Sequence, residues 1–199
     1  MNTLAHYILS KKNEEVIVGN VIADFIKGNT KFNFSENILK GIELHKKIDL
    51  FSDHHASVKA TWTLIQDDFG HYGRVITDIY YDHFLCKHWA DYSKNSFDED
   101  IKFLYACLKK HASALPPGVR RMSSRIMAYN WPYKYSEKAG LYQVFRSMSR
   151  RVKFENKFEN AVKVLEKEYD VIHSHFLEFF PELHDYVQTV FKELKIKKK

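Results

Sequence analysis

A short stretch, GIELHKKIDLFSDHH at residues 41–55, concentrates imidazole and carboxylate side chains. Residues four apart lie on the same face of a helix, so His45, Asp49 and Asp53 predict a stripe of one imidazole and two carboxylates. Two carboxylates this close repel each other unless a positive charge lies between them. A divalent cation would supply that charge, and mixed His/Asp ligation suits manganese, iron or zinc. For this stretch alone, a solvated acidic face with the neighbouring lysines as counterions is an equally good interpretation.

A second group of the same kind lies in ITDIYYDHFLCKHW. Asp78 and Asp82 are again four apart, and His83 follows directly. The large apolar residues around them indicate that these carboxylates face the interior, where a carboxylate must be paired, hydrogen-bonded or bound to a metal. Pairing with Arg74, four residues before Asp78, is the alternative that needs no metal.

Two further candidates lie nearer the start of the chain. Asp24 in GNVIADF belongs to an apolar helical segment, and Asn20, four residues earlier, is placed to orient it. His6 in LAHYIL is a single histidine in an apolar run, which is more often a satisfied core residue than a ligand. Helices at the start, at 41–53 and at 78–83 therefore each offer inward His or Asp, and a helical bundle can bring such groups to one interior metal site. Water activated by that metal would be the nucleophile.

The elements that must position these residues are helices. The 199 residues include only 7 Gly and 4 Pro, and no strand-like alternation is sustained. We predict an all-α, single-domain bundle of about eight to ten helices over residues 1–199, with a basic tail at about 193–199. Ser35 is expected to cap the helix that carries His45, the pair Ser96/Glu99 forms a capping box, and Pro181 is expected to open the last helix.

Charge and cysteine content narrow the partners and the compartment. The net charge of +6 and a pI of about 9.1 indicate an acidic partner, which could be nucleic acid, an anionic membrane or an acidic protein. Cys86 and Cys107 are expected to be buried thiols of a reducing compartment, and the N-terminal apolar run is too short for a signal peptide or a span. We expect a cytoplasmic protein. GxSxG, P-loop, GxGxxG and CxxC motifs are all missing, which removes support for serine hydrolase, nucleotide kinase and Rossmann readings.

Several of these stretches together resemble one known family. MNTLAHYIL, GNVIADFIKG, GIELHKKIDLFSD and GRVITDIYYDHFLCKHW resemble the acyl carrier protein phosphodiesterase family, also called acyl carrier protein hydrolase, and GLYQVFRSMSRR resembles its C-terminal half. The resemblance runs from residue 1 to about 155. It implies a divergent HD-type metal phosphohydrolase with an HD-like helical bundle. The implied reaction hydrolyses the phosphodiester between 4′-phosphopantetheine and the serine of holo acyl carrier protein, with manganese as the metal.

The resemblance also implies roles for individual residues. Asp24 and His83 are the implied catalytic residues, and Asp24 would be either a ligand or the base that orients the water. The implied metal ligands are His6, Asp24, His45, Asp49, Asp78 and Asp82. Carrier proteins are acidic, so two arginine clusters are expected to bind the partner, against the alternative that they are solvated basic faces: Arg120, Arg121, Arg125, Arg146, Arg150 and Arg151.

Two other functions stay open at this point. An HD-type phosphohydrolase could act on a nucleotide or another small phosphoester, because one fold serves many substrates. A helical nucleic-acid-binding module would explain the positive charge and the aromatic residues, but it leaves the inward Asp and His residues without a purpose. We therefore expect an acyl carrier protein as partner, and neither nucleic acid nor membrane.

Overall fold

Twelve α-helices and four short 3₁₀ turns account for most of the residues that the structure, a computed structural model, describes: 2–10, 13–26, 34–152 and 156–196. No strand occurs within those ranges, and the predicted all-α class is confirmed. The helices are α1 Thr3–Ile8, α2 Glu14–Ile22, α3 Glu36–His54, α4 Ala56–Phe69, α5 Gly73–Lys87, α6 Trp89–Tyr92, α7 Phe97–Lys110, α8 Pro117–Ala128, α9 Trp131–Tyr135, α10 Lys138–Ser149, α11 Ala161–Lys167 and α12 Tyr169–Glu193.

Two helix starts that were predicted from capping residues are confirmed. The Ser35 side chain accepts a hydrogen bond from the Ile38 backbone N–H, and α3 begins at the next residue. Ser96 and Glu99 form the reciprocal capping box at the start of α7. Because each cap satisfies backbone donors that the helix cannot, these two starts could be recognised from sequence alone.

The last helix differs from the prediction, because Pro181 lies inside α12 instead of opening a helix. Proline has no N–H, so the carbonyl of Leu177, four residues earlier, loses its helical partner. Both residues are exposed, which leaves that carbonyl open to water. On the opposite side of α12, Phe179, Phe180 and Leu183 are fully buried and hold the helix against the core across the proline.

The core is one continuous cluster of buried apolar side chains, with aromatic rings of α5 and α12 at its centre. Tyr81 of α5 lies edge-on to Phe176 and tilted against Phe179, with ring centroids 5.7 and 5.4 Å apart. None of the described helices combines the length and the apolar character needed to cross a bilayer. The core therefore fixes α5, which carries Asp78 and Asp82, against the long final helix.

A buried carboxylate ties α1 to the α6–α7 region. Asp100 of α7 accepts hydrogen bonds from Tyr7 (2.9 Å), Trp89 (3.1 Å) and Asn95 (2.9 Å), and Ser93 also donates to it. Four donors around one carboxylate offset the cost of removing it from water. The short helix that carries His6 is thereby anchored at one end of its length.

Helices α2 and α3 cross at two glycines. A Cβ placed on Gly19 would meet the Ile38 carbonyl oxygen, and one placed on Gly41 would meet the Val16 carbonyl oxygen. The absence of both side chains lets the two backbones come into contact. Asn20 follows the first glycine, and His45 lies one turn after the second, so this crossing brings a backbone carbonyl of α2 to an imidazole of α3.

We expect Gly41→Ala to lower the free energy of unfolding by about 1–3 kcal/mol, because the added methyl group meets backbone, which cannot move aside easily. At this chain length the midpoint temperature falls by several degrees. Gly118→Ala is the matched control, since nothing lies within 4 Å of its Cβ position and alanine is the better helix former. Thermal unfolding followed by circular dichroism measures both. Equal midpoints for the two variants would contradict the crossing as the cause.

Candidate metal centre

Three side chains from two helices converge below the surface. His6 of α1 and His45 and Asp49 of α3 bring one ligand atom each within 4.8 Å of one another. The two imidazole rings stack with centroids 4.0 Å apart. His45 Nε2 lies 3.0 Å from Asp49 Oδ2, and His6 Nε2 lies 3.4 Å from Asp49 Oδ1. Both imidazoles therefore present Nε2 to the two oxygens of one carboxylate.

Asp24 is the solvent-facing member of this group. Its Oδ1 lies 3.1 Å from His45 Nε2, while its side chain is 65% exposed. The sequence predicted that Asp24 lies in an apolar helix, but α2 ends at Ile22 and Asp24 occupies the 3₁₀ turn Ala23–Phe25 that follows. This turn directs the carboxylate over the edge of the buried histidines.

Asn20, which the sequence suggested as the partner of Asp24, instead holds both histidines. Its side-chain oxygen accepts a hydrogen bond from His6 Nδ1 (2.8 Å), and its amide nitrogen donates to the His6 carbonyl and to Ser10 Oγ (both 2.9 Å). Its backbone carbonyl lies 2.8 Å from His45 Nδ1. Because a carbonyl can only accept, both histidines carry a proton on Nδ1. A neutral His6 then has a lone pair on Nε2, whereas His45 Nε2 lies between two carboxylates that favour a second proton on this ring.

The Nε2 lone pair of His6 faces a carboxylate oxygen of Asp49, and a cation between these two atoms would satisfy both. Burial lowers the pKa of His6 to about 4, so this ring is neutral near pH 7. Its buried Nε2 completes no hydrogen bond within the described residues, although Asp49 is in ion-pair range. The donor set of two imidazoles and one or two carboxylates fits a divalent cation, and the incompletely satisfied Nε2 is the observation that favours one.

The neighbouring carboxylates raise the pKa of His45 in spite of its burial. Burial alone lowers its pKa, but the contacts with Asp24 and Asp49 outweigh it and raise the pKa to about 9. The His45 hydrogen bond in turn lowers the pKa of Asp24. Burial opposes ionisation of Asp49, yet the two histidines hold its pKa below the usual range. The cluster thus keeps both carboxylates ionised, and a bound cation would replace the proton that His45 holds between them near pH 7.

Asp82 has a structural position that the sequence analysis did not foresee. Its two oxygens accept hydrogen bonds from the backbone N–H groups of Leu4 and Ala5 (both 3.2 Å), next to Asn2, which caps Thr3 (2.8 Å). Burial raises the pKa of Asp82 to about 8, against the effect of these two donors. Asp82 was predicted as a metal ligand, but its oxygens are used at the start of α1, where they help to position His6.

His83 is not brought to the cluster either. Its Nδ1 lies 2.7 Å from the Tyr135 carbonyl oxygen, and its ring packs against Phe84 and Tyr169. Burial lowers its pKa. The side chain therefore fastens α9 to α5, which gives no support to the catalytic role that the resemblance implied.

The two remaining carboxylates of the predicted stripes, Asp53 and Asp78, lie in different surroundings. Asp53, the last member of the α3 stripe, forms an exposed ion pair with Arg74 (3.6 Å) and so has a partner of its own. Asp78 of α5 lines the same cleft as Asp24, and burial raises its pKa. The structure therefore brings together four of the predicted site residues: His6, Asp24, His45 and Asp49. A fifth, Asp78, lines the adjoining cleft.

This cleft has a volume of about 660 Å³ and opens beside the cluster. Asp24 and Asp78 contribute carboxylates to its lining, and Arg125, Lys134 and Arg151 contribute cations. Aromatic and apolar side chains complete the lining, among them Val144, Met148 and Trp131. The arrangement suits an elongated ligand with an anionic group at one position and a less polar portion beyond it.

Of the six arginines expected to bind a partner, two line the cleft and four do not. Arg125 lines the cleft from α8, and Arg151 lines it just after α10, where its guanidinium lies over the Trp131 ring at 5.8 Å. Lys134 was missed by the sequence analysis, because a single lysine in an aromatic stretch gives no distinctive signal. The other four arginines are exposed and do not belong to the described lining: Arg120, Arg121, Arg146 and Arg150.

Comparison with known proteins identifies one family. A family described as "Acyl carrier protein phosphodiesterase" matches residues 1–183. Proteins of that name from Klebsiella pneumoniae (strain 342) and Yersinia pestis are 26% and 24% identical over 184 residues, covering 92% of this chain and 95% of each relative. The protein of the same name from Photorhabdus laumondii is 26% identical over 185 residues, covering 91% of this chain and 92% of its own. No solved structure matches.

We expect Asn20→Ala to reduce the affinity for Mn²⁺ by about 10–100-fold, because it releases His6 from its fixed tautomer and orientation. The same change leaves a buried ring nitrogen and a carbonyl unpaired, so the free energy of unfolding falls by about 1–3 kcal/mol. Isothermal titration calorimetry and thermal unfolding measure the two effects.

Asn37→Ala is the control for this variant. Asn37 lies on α3 and only donates to Glu15 at a partly exposed position (3.0 Å), so its loss should leave Mn²⁺ affinity unchanged. Wild-type affinity in Asn20→Ala would show that the amide does not orient the ligands.

Proposed function

Because the chain belongs to the acyl carrier protein phosphodiesterase family, we propose that it hydrolyses the phosphodiester between 4′-phosphopantetheine and the serine of holo acyl carrier protein. The products are apo acyl carrier protein and free 4′-phosphopantetheine. The observation that carries the proposal is the convergence of His6, His45, Asp49 and Asp24 beside a cleft lined with cations. An elongated phosphodiester fits this cleft, and an acidic carrier protein fits the positive charge around it.

His6, His45 and Asp49 are proposed to hold a divalent cation, with Mn²⁺ as the metal. Asp24, whose Oδ1 lies 3.1 Å from His45 Nε2, is proposed either as a further ligand or as the base. Such a cation, when bound, lowers the pKa of water and neutralises charge on phosphate oxygens. His and Asp ligands drawn from separate helices are also the basis for the proposed kinship with HD-type phosphohydrolases.

The chain's own residues carry the rest of the reaction. Arg125, Lys134 and Arg151, which line the cleft together with Asp24, bind the anionic phosphodiester and position it. Asp24, exposed and ionised, orients the attacking water and takes its proton. The oxygen of that water forms a bond to phosphorus, and the bond from phosphorus to the serine oxygen breaks. Serine regains a proton from solvent, and 4′-phosphopantetheine leaves with the phosphate.

The proposed location is the cytoplasm. Cys86 and Cys107 are both free thiols, one partly and one fully buried, as expected in a reducing compartment. Burial raises the pKa of Cys86 and Cys107 and keeps both thiols protonated, so neither offers a nucleophile for an alternative mechanism.

We expect Asp49→Asn to lower turnover of holo acyl carrier protein more than about 100-fold, because the amide cannot supply the charge that both histidines face. Asp53→Asn is the matched control, one turn later on α3, and should keep wild-type activity because Asp53 pairs with Arg74 instead. Mass spectrometry of the carrier protein after incubation with Mn²⁺ measures the loss of the prosthetic group. Chelation of the metal should abolish the wild-type reaction.

The same assay separates the proposal from its alternative. A panel of nucleotides and small phosphoesters is incubated in parallel with the wild-type chain and Mn²⁺. An unchanged mass of the carrier protein, together with phosphate release from a nucleotide, would replace the proposed substrate.

We expect Arg125→Glu to raise KM for the carrier protein by about tenfold at low salt and to lower kcat as well, because it reverses a charge that binds the reacting phosphodiester. Arg121→Glu has the same charge change on the same helix but lies off the cleft lining, so its effect should be much smaller. Steady-state kinetics at two ionic strengths distinguish the variants. Equal KM values for both would show that binding does not depend on the cleft wall.

A further inference from the structure

A second pair of histidines lies apart from the cluster described above. His88, at the junction of α5 and α6, and His173 of α12 approach each other with their Nε2 atoms 2.7 Å apart. The two residues are far apart in sequence, so the contact joins two helices that only the fold brings together. Neither residue has a part in the proposed reaction.

Asp91 fixes the proton of His88. Its Oδ2 accepts a hydrogen bond from His88 Nδ1 at 3.0 Å, so Nε2 of His88 carries a lone pair. His173 must then donate its Nε2–H to that lone pair. A carboxylate on the remote nitrogen of an imidazole is the arrangement that orients histidines in many zinc sites.

Aromatic packing holds both rings in place. Phe84 stacks on His173 with centroids 4.8 Å apart and an interplanar angle of 15°, and Phe176 lies 5.9 Å from the His88 ring. The side chain of His88 is nevertheless 25% exposed, and that of His173 is partly exposed. The pair is thus pre-oriented and reachable by an ion from solvent.

We propose that His88 and His173 form a second metal site, selective for an imidazole-preferring divalent cation such as Zn²⁺ or Ni²⁺, that links the end of α5 to α12. Two Zn–N bonds of about 2.1 Å at a tetrahedral angle place the nitrogens about 3.4 Å apart, so the present separation of 2.7 Å has to open by less than about 1 Å. Asp170, one turn before His173 on α12, acts on it electrostatically, and water would complete the shell.

Binding needs a change of tautomer at one residue only. His173 moves its proton from Nε2 to Nδ1, while His88 keeps its proton on Nδ1, and no net proton is released. Burial lowers the pKa of His173, which favours the neutral ring that this requires. The pair offers imidazole nitrogens alone, whereas the first site combines its two imidazoles with the carboxylate of Asp49.

The test is the difference in bound zinc between the wild type and His173→Phe, which keeps a stacked ring over Phe84 but removes both nitrogens. Equilibrium dialysis followed by elemental analysis should show one zinc equivalent fewer in this variant. The total number of zinc ions per chain need not be known, because the difference in zinc content between the variants does not depend on whether the first site also binds zinc. His184→Phe on the same helix is the control and should lose none.

Two further measurements keep the result independent of folding and of the proposed reaction. Circular dichroism verifies that His173→Phe and a second variant, His88→Gln, are folded, and Zn²⁺ should raise the unfolding temperature of the wild type by more than that of either. Long-range ¹H–¹⁵N spectra should show the proton of His173 move to Nδ1 on addition of Zn²⁺. An equal zinc content in the wild type, His173→Phe and His88→Gln overturns the site, whatever the carrier protein assay gives.

Discussion

The side chain of Asn20 lies between α1 and α3 with no access to water, and it has to satisfy all its hydrogen bonds there. It does so almost entirely with His6 and with the neighbouring Ser10, while its own backbone carbonyl is taken by His45. One residue thereby aligns two imidazoles so that both Nε2 atoms face Asp49. Without the close crossing of α2 and α3, that carbonyl could not reach His45, and the His45 ring would lose the contact that orients it.

The position of His6 depends on the rest of the molecule more than on its own helix. A helix of six residues is not stable in isolation, because the free energy of nucleating it exceeds the stabilisation from its few backbone hydrogen bonds. In this fold α1 is held by two carboxylates of other helices, Asp82 at its first N–H groups and Asp100 at Tyr7. Burying these two carboxyl groups is tolerated because each accepts hydrogen bonds from two or more donors. The fold thus uses part of its acidic residues as anchors and only part as candidate ligands.

Sequence periodicity identified the helix and the face on which His45 and Asp49 lie, because these two residues are four apart on one element. It could not distinguish Asp82 from a ligand, because a buried carboxylate looks the same in sequence whether it meets a metal or the N–H groups of another helix. The partner of His83 Nδ1 was also outside its reach, since it is a backbone carbonyl far along the chain. Pro181 was misread because the buried phenylalanines beside it override a local helix-breaking tendency. Local signals were therefore reliable for caps and faces, and contacts between distant segments were outside their reach.

The cleft draws its acidic and its cationic lining residues from different stretches of the chain. The carboxylates come from the turn after α2 and from α5, whereas the cations come from α8, α9 and the residue just after α10. Substitutions that alter which molecule is recognised can therefore accumulate in the later stretches while the residues that would perform the chemistry stay the same. Such a separation would let related chains diverge in partner preference while the reaction stays the same.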